Sequence, residues 1–149
     1  MSWIRASADA RPTGFPSGTV RPTLPAVYSR ILVGTDGSPT AGRAVARAVE
    51  VARTSGATLT IMTAAPESKG RTIVDQAAAT HAGSGVEIDT LVVDRDPVGA
   101  LIDTAEQGYD LVVVGNKGMT GVTRFFKVGA VPNKLSHNLP ASLLVVRTT

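Results

Sequence analysis

The chain contains no cysteine. That excludes a disulfide framework, a thiolate metal centre and a thiol nucleophile. Histidine is nearly as scarce: His81 and His137 stand far apart in sequence and give a zinc ion little to hold. No apolar run approaches the ~20 residues that cross a bilayer as a helix. Charge is sparse, at 18% of residues, and the formal balance is only +3. Arg5, Arg11 and Arg21 against Asp9 place +2 of that on residues 1–27, so the remainder is nearly neutral. A nucleic-acid surface would show as a basic stripe, and none is visible. Nor does any pair of carboxylates stand where acid–base chemistry would need it.

What is present describes one soluble globular domain. With 149 residues, 43% of them hydrophobic, the chain can bury roughly 68–70% of its unfolded surface. Residues 1–27 carry Pro12, Pro16, Pro22 and Pro25, with scattered Gly and Ser and no apolar period. That composition predicts a disordered tail. The ~7–15 apolar residues of a secretory signal are missing, while the Arg and Ser content leaves an organelle transit peptide or an over-extended start open.

From Tyr28 onward, strand and helix patterns alternate. Arg30 to Val33 is a short apolar strand. Ser38 is a helix N-cap with Pro39 at the first position, and Gly56 lies past the helix end. Between them Ala41, Ala44, Val45, Ala48, Val49 and Ala52 recur at helical spacing. Thr58 to Thr63 is a second strand, and Lys69 to Ala82 a helix that Gly83 to Gly85 end. Val86 to Val93 reads as an edge strand. Asp96 and Pro97 open a helix that Gly108 stops, Leu111 to Val114 is a central strand, Pro132 to Asn138 a helix, and Leu143 to Val146 the last strand. Five strands with four helical connections predict an α/β fold: a single doubly wound, Rossmann-like parallel sheet with helices on both faces. In such sheets a ligand binds outside the strand C-termini, where the strand order reverses.

Two strand ends run into glycine-bearing polar loops. Gly34-Thr35-Asp36-Gly37-Ser38 follows the first strand; Gly115-Asn116-Lys117-Gly118 follows the fourth, with Gly129-Ala130-Val131-Pro132 ten residues later. Glycines at the mouth of a helix bring bare N–H groups up to a phosphate, so the pair of loops points to a nucleotide. Asp36 either shapes its own turn or accepts from a ribose hydroxyl or adenine amine. Lys117, between two glycines, is the better phosphate contact; Arg124 and Lys127 read as solvated loop surface. Ser136 and His137 are adjacent on a helix, so they do not face each other as nucleophile and base. His81 reads as a helix-terminal cation, and Asp94 and Arg95 as a polar loop ahead of the Asp96 cap.

Taken together, Ile31 to Ser38, Gly115 to Gly118 and the Val131 to His137 stretch resemble the universal stress proteins, over Ser29 to Arg147. The resemblance implies binding of ATP or another adenine nucleotide such as AMP or cyclic AMP, with Mg2+ accompanying ATP. It also implies a homodimer through the last strand, a cytoplasmic stress-response role and no defined reaction. By position, Thr35 and Asp36 would contact ribose and adenine, Ala64 the base, and Gly115, Lys117, Gly118, Gly129, Ala130 and Val131 the phosphates. The family's nucleotide-binding pattern is Gly, two residues, Gly, nine residues, Gly, then Ser or Thr. Here ten residues, Met119 to Val128, separate the last two glycines, and Ala130 fills the hydroxyl position. The segment between the second and third strands is also short for the family.

Three functions compete. The first is a cytoplasmic regulatory module that senses an adenine nucleotide. The second is a dimeric scaffold of the same fold that binds no ATP. The third is a slow ATPase or a phosphotransfer receiver; a receiver needs several acids at the first strand end to hold a metal, and Asp36 stands alone there.

Overall fold

A computed structural model describes residues 27–116 and 130–147. The expected tail falls almost wholly outside that range. Within it the elements are β1 (Arg30–Gly34), α1 (Pro39–Ser55), β2 (Thr58–Ala64), α2 (Glu67–Thr80), β3 (Ile88–Val93), α3 (Pro97–Ala105), β4 (Leu111–Gly115), α4 (Ala130–Asn138) and β5 (Ser142–Val146). The strands form one all-parallel sheet in the order β3-β2-β1-β4-β5, which is the doubly wound arrangement expected.

Strands that are covered on both faces need apolar residues at every position rather than every second one. β1 meets that requirement with Ile31, Leu32 and Val33, and β4 with Leu111 to Val114. Alternation then divides the core in two. Ile31, Val33, Leu59, Ile61, Leu111 and Val113 face α1 and α2, where they meet the Ala44, Val45, Ala48 and Val49 stripe and Val74. Leu32, Met62, Val112 and Val114 face the other way, onto Ala100, Leu101 and Ala105 of α3 and Leu135 of α4. Each such Leu, Ile or Val gains about 1.5–3 kcal/mol from burial. The largely alanine stripe lets α1 lie close on the sheet.

Local chemistry sets the boundaries. Ser38 Oγ accepts from the Ala41 N–H at 3.2 Å, and Gly56 closes α1 in the left-handed conformation at φ 69°. α2 begins at Glu67, two residues ahead of the expected start, because Pro66 already sits in the extended region before it. It ends at Thr80 with His81 as its C-cap, so His81 does occupy the helix terminus. β3 begins at Ile88 rather than Val86, after a turn in which Gly85 has φ 82°. α3 ends at Ala105; Gly108, at φ 104°, belongs to the turn that follows. α4 begins at Ala130 rather than Pro132, which leaves the proline in the first turn, where a missing N–H costs nothing.

Candidate functional site

The order β3-β2-β1-β4-β5 reverses between β1 and β4, since the chain leaves β1 for β2 on one side and returns to β4 on the other. The register pairs Val33 with Val113; two residues further on, Thr35 is level with Gly115. Gly34 pairs with Met62, which puts Ala64 at the same end of the sheet. Thr35, Asp36, Ala64 and Gly115 therefore lie along one rim, at the strand C-termini.

The loop after β1 is held by its own side chains. Thr35 is buried; its N–H donates to the Met62 carbonyl at 2.9 Å, and its Oγ1 accepts from the Gly37 N–H at 3.1 Å. Asp36 Oδ1 accepts from the Ser38 N–H at 2.9 Å, which closes a turn of the Asx type. Gly37 has φ 83°, a conformation that favours glycine, and a Cβ there would stand 3.2 Å from Ile73 Cγ1 on α2, close enough that Ile73 would have to shift by a few tenths of an ångström. Both ways of reading Asp36 meet in this geometry. One oxygen shapes the turn; the other, Oδ2, is buried and without a hydrogen-bond partner.

Across the switch point, Gly115 pairs with Val146 of β5, and the Asn116 N–H donates to the Val146 carbonyl at 2.8 Å. β4 is thus fixed to its last residue, and the loop departs from a rigid edge. Lys117, Gly118 and Gly129 lie outside the described residues, as do Arg124 and Lys127. Ala130 and Val131 open α4. Ala64, half-buried, packs with the α3-side core. Only Ala65 and Pro66 connect β2 to α2, too short a link to arch over the rim.

Two features were not visible in the sequence. One is a cleft of about 170 Å³ between α1 and α2, whose lining includes Gly37, Ser38, Ile73, Gln76, Thr80 and His81; it depends on helix spacing, which no local pattern encodes. The other is the placement of Arg95 at the α3 cap. Asp96 accepts from the Gly99 N–H at 2.6 Å, and this bond, with the adjacent Arg95 charge, holds its carboxyl below the ordinary value of 3.8. Asp96 was expected as the cap. What was not expected is that Arg95 folds back over Gly99, where any Cβ would meet its guanidinium, and pairs with Asp103. Among the described residues, no group of three or more His, Cys, Asp or Glu is arranged to hold a metal ion, and no helix is long and apolar enough to cross a membrane.

A model of the universal stress protein family matches residues 28–76 and 64–147. The chain belongs to the universal stress protein family. This universal stress protein is 31% identical over 143 residues to a putative universal stress protein of Staphylococcus haemolyticus (strain JCSC1435), covering 81% of this chain and 86% of that one. It is 25% identical over 149 residues to universal stress protein YxiE of Bacillus subtilis (strain 168), covering 81% and 100%. Among solved structures it is similar to a universal stress protein in complex with cAMP, with a TM-score of 0.69 and 34% identity over 82% of this chain and 98% of that one.

Proposed function

We propose that this universal stress protein is a regulatory module that binds an adenine nucleotide between the loop after β1 and the glycine loop after β4. The observation that carries this is Asp36 Oδ2, buried and unpaired at the strand switch point. A buried polar atom without a partner costs about 1–3 kcal/mol, and a ribose hydroxyl or adenine amine would satisfy it. The cAMP complex of a relative 34% identical supports the ligand class.

In this assignment Asp36 reads ribose or base, buried Thr35 holds the loop at its height, and Ala64 offers a small side chain beside the base. Gly115, Lys117, Gly118, Gly129, Ala130 and Val131 surround the phosphates, with the N-terminus of α4 favouring negative charge. ATP, AMP and cyclic AMP are the candidates, and Mg2+ would accompany ATP on its own phosphates. Ala130 supplies no hydroxyl, which removes a hydrogen bond to charge of about 1.5–3 kcal/mol. That favours the smaller, less charged nucleotides. The module acts without catalysis, in the cytoplasm, as a homodimer through β5; residues 28–149 form the domain and 1–27 a disordered tail.

A second function rests on the same departures. The ten-residue spacing and Ala130, set beside the exposed Val145 of β5, fit a dimeric scaffold that has lost its nucleotide. Calorimetric titration of the full chain with ATP, AMP and cyclic AMP separates the two. Saturable binding that Asp36→Ala weakens by about 10–100-fold, and that Gly118→Val abolishes, supports the nucleotide module. No heat with any of the three leaves the scaffold.

A further inference from the structure

The helices cover β3 unequally. On one face α2 lies along it, so close that a Cβ on Gly70 would stand 2.4 Å from Val92 Cγ1. On the other face α3 rests mainly on β2 and β4, which leaves Leu91 and Val93 half-buried beside exposed Asp89 and Asp94. Among the described residues β3 also ends the sheet, pairing with β2 alone. The carbonyls of Glu87 and Val93 accept from the Leu59 and Ala65 N–H groups, so residues 87, 89, 91 and 93 turn their backbone inward. By alternation, Ile88, Thr90 and Val92 turn theirs outward.

Negative charge is concentrated along the same stretch of chain; in space one cation, Arg71 of α2, reaches it, donating to Thr90 Oγ1 at 2.9 Å while paired with Glu67 and Asp75. Seven of the twelve acidic residues fall between Glu87 and Asp110, where Arg95 is the only Lys or Arg. Arg95 is itself neutralised by Asp96 and Asp103. Asp110 is engaged elsewhere, accepting from the Ser29 and Arg30 N–H groups at 2.8 and 3.1 Å. Glu87, Asp89 and Asp94 are exposed and make no ion pair among the described residues.

We propose that the β3 edge is a docking site for a cationic, extended segment of a partner protein. The segment adds as a strand beside β3, bonding to the outward N–H and C=O groups of Ile88, Thr90 and Val92. Its apolar residues lie against Leu91 and Val93, and its Lys or Arg residues against Glu87, Asp89 and Asp94. The fringe selects the occupant. A second copy of β3 would set carboxylate against carboxylate, and an anionic chain is repelled outright. Exposed charge also blunts edge pairing in general, but carboxylates of one sign blunt it only toward neutral or acidic strands.

The test uses the full-length ¹⁵N-labelled protein and two short capped peptides, Lys-Thr-Lys-Thr-Val-Thr-Val and the same peptide with Glu in place of Lys, whose charged and apolar side chains share one face as those of Glu87, Asp89, Leu91 and Val93 do. The Lys peptide should shift the Ile88, Thr90 and Val92 amides saturably; the Glu peptide should not. Asp89→Lys, on an exposed position, should weaken binding by about tenfold or more, and Thr90→Pro should remove it by deleting an N–H that β2 does not use. Absence of saturable shifts, equal binding of the Glu peptide, or shifts confined to other elements would overturn the proposal. So would movement of the same three amides in the free protein when Arg5, Arg11 and Arg21 are all changed to Gln, because the occupant would then be the chain's own amino-terminal segment.

Discussion

Among the described residues the sheet ends in two strands, β3 and β5, made of different material. β5 runs Ser142-Leu143-Leu144-Val145-Val146 into Arg147 with no carboxylate, and Val145 is 41% exposed. β3 is flanked by Glu87 and Asp94 and carries Asp89 at its exposed position. An apolar edge without acids accepts a copy of itself, because hydrophobic contact is non-directional and no like charges meet. An acidic edge refuses a copy and admits only a partner of opposite sign. Among the described residues each of these strands pairs with a single neighbour, so if β5 carries the proposed dimer, side chains set the difference between the two edges.

The largest effect expected on this contrast comes from the support behind β5. Leu135 of α4 is fully buried, and Leu135→Ala should cost about 2–5 kcal/mol in urea unfolding; an unchanged midpoint would mean that α4 does not brace that edge. Next, Val145→Asp gives β5 the chemistry of β3. If β5 carries the proposed dimer, sedimentation should show dimer affinity falling by about a hundredfold, or roughly 2.7 kcal/mol. A dimer of unaltered strength would move the self-association surface elsewhere. On the β3 side, Gly70→Val drives a side chain into Val92 and should destabilise by about 1–3 kcal/mol. Retained stability there would show that α2 can stand off the sheet. A smaller loss, about 1 kcal/mol, is expected for Asp96→Ala, which uncaps α3 beside the acidic edge.

The smallest effect is one of pH. The Asp96 carboxyl is held below its unfolded value of 3.8, so its charge contributes stability that is present above that pH and is lost as pH falls through the lower, folded value. The side chain is more than half exposed, and solvent screening keeps the contribution small. Asp96→Asn, which retains a capping oxygen, should therefore differ slightly from the native chain near neutrality and match it in strong acid. A gap that widened on acidification would reverse the assignment.

Much of this was legible in the chain because the signals are local. Ser38, Pro39 and Gly56 bracket α1, the run from Leu111 to Val114, short and ended by Gly115, reads as a buried parallel strand, and Thr35-Asp36 and Gly115 occupy strand ends by simple counting. Boundaries went astray where a neighbour decides them. β3 starts at Ile88, where its register with β2 begins opposite Leu59, and α2 starts at Glu67, with the Pro66 carbonyl accepting from Gly70 at 2.8 Å. The unpaired Asp36 oxygen, the cleft between α1 and α2, and the bare face of β3 were illegible for a different reason. Each depends on what stands next to it in space, and residues such as Gly37 and Ile73 that meet there are far apart in the chain.

β1 lies between β2 and β4, and its entry is latched by Asp110, which is 81 and 80 residues beyond the Ser29 and Arg30 amides it binds. At a synthesis rate of about 5–20 residues per second, the middle strand of the finished sheet waits roughly 4–16 s on the ribosome as an outer one. During that wait Ile31, Leu32 and Val33 form the apolar rim of a growing fragment. Chaperones at the tunnel exit are expected to engage that rim first, and to be released when β4 emerges.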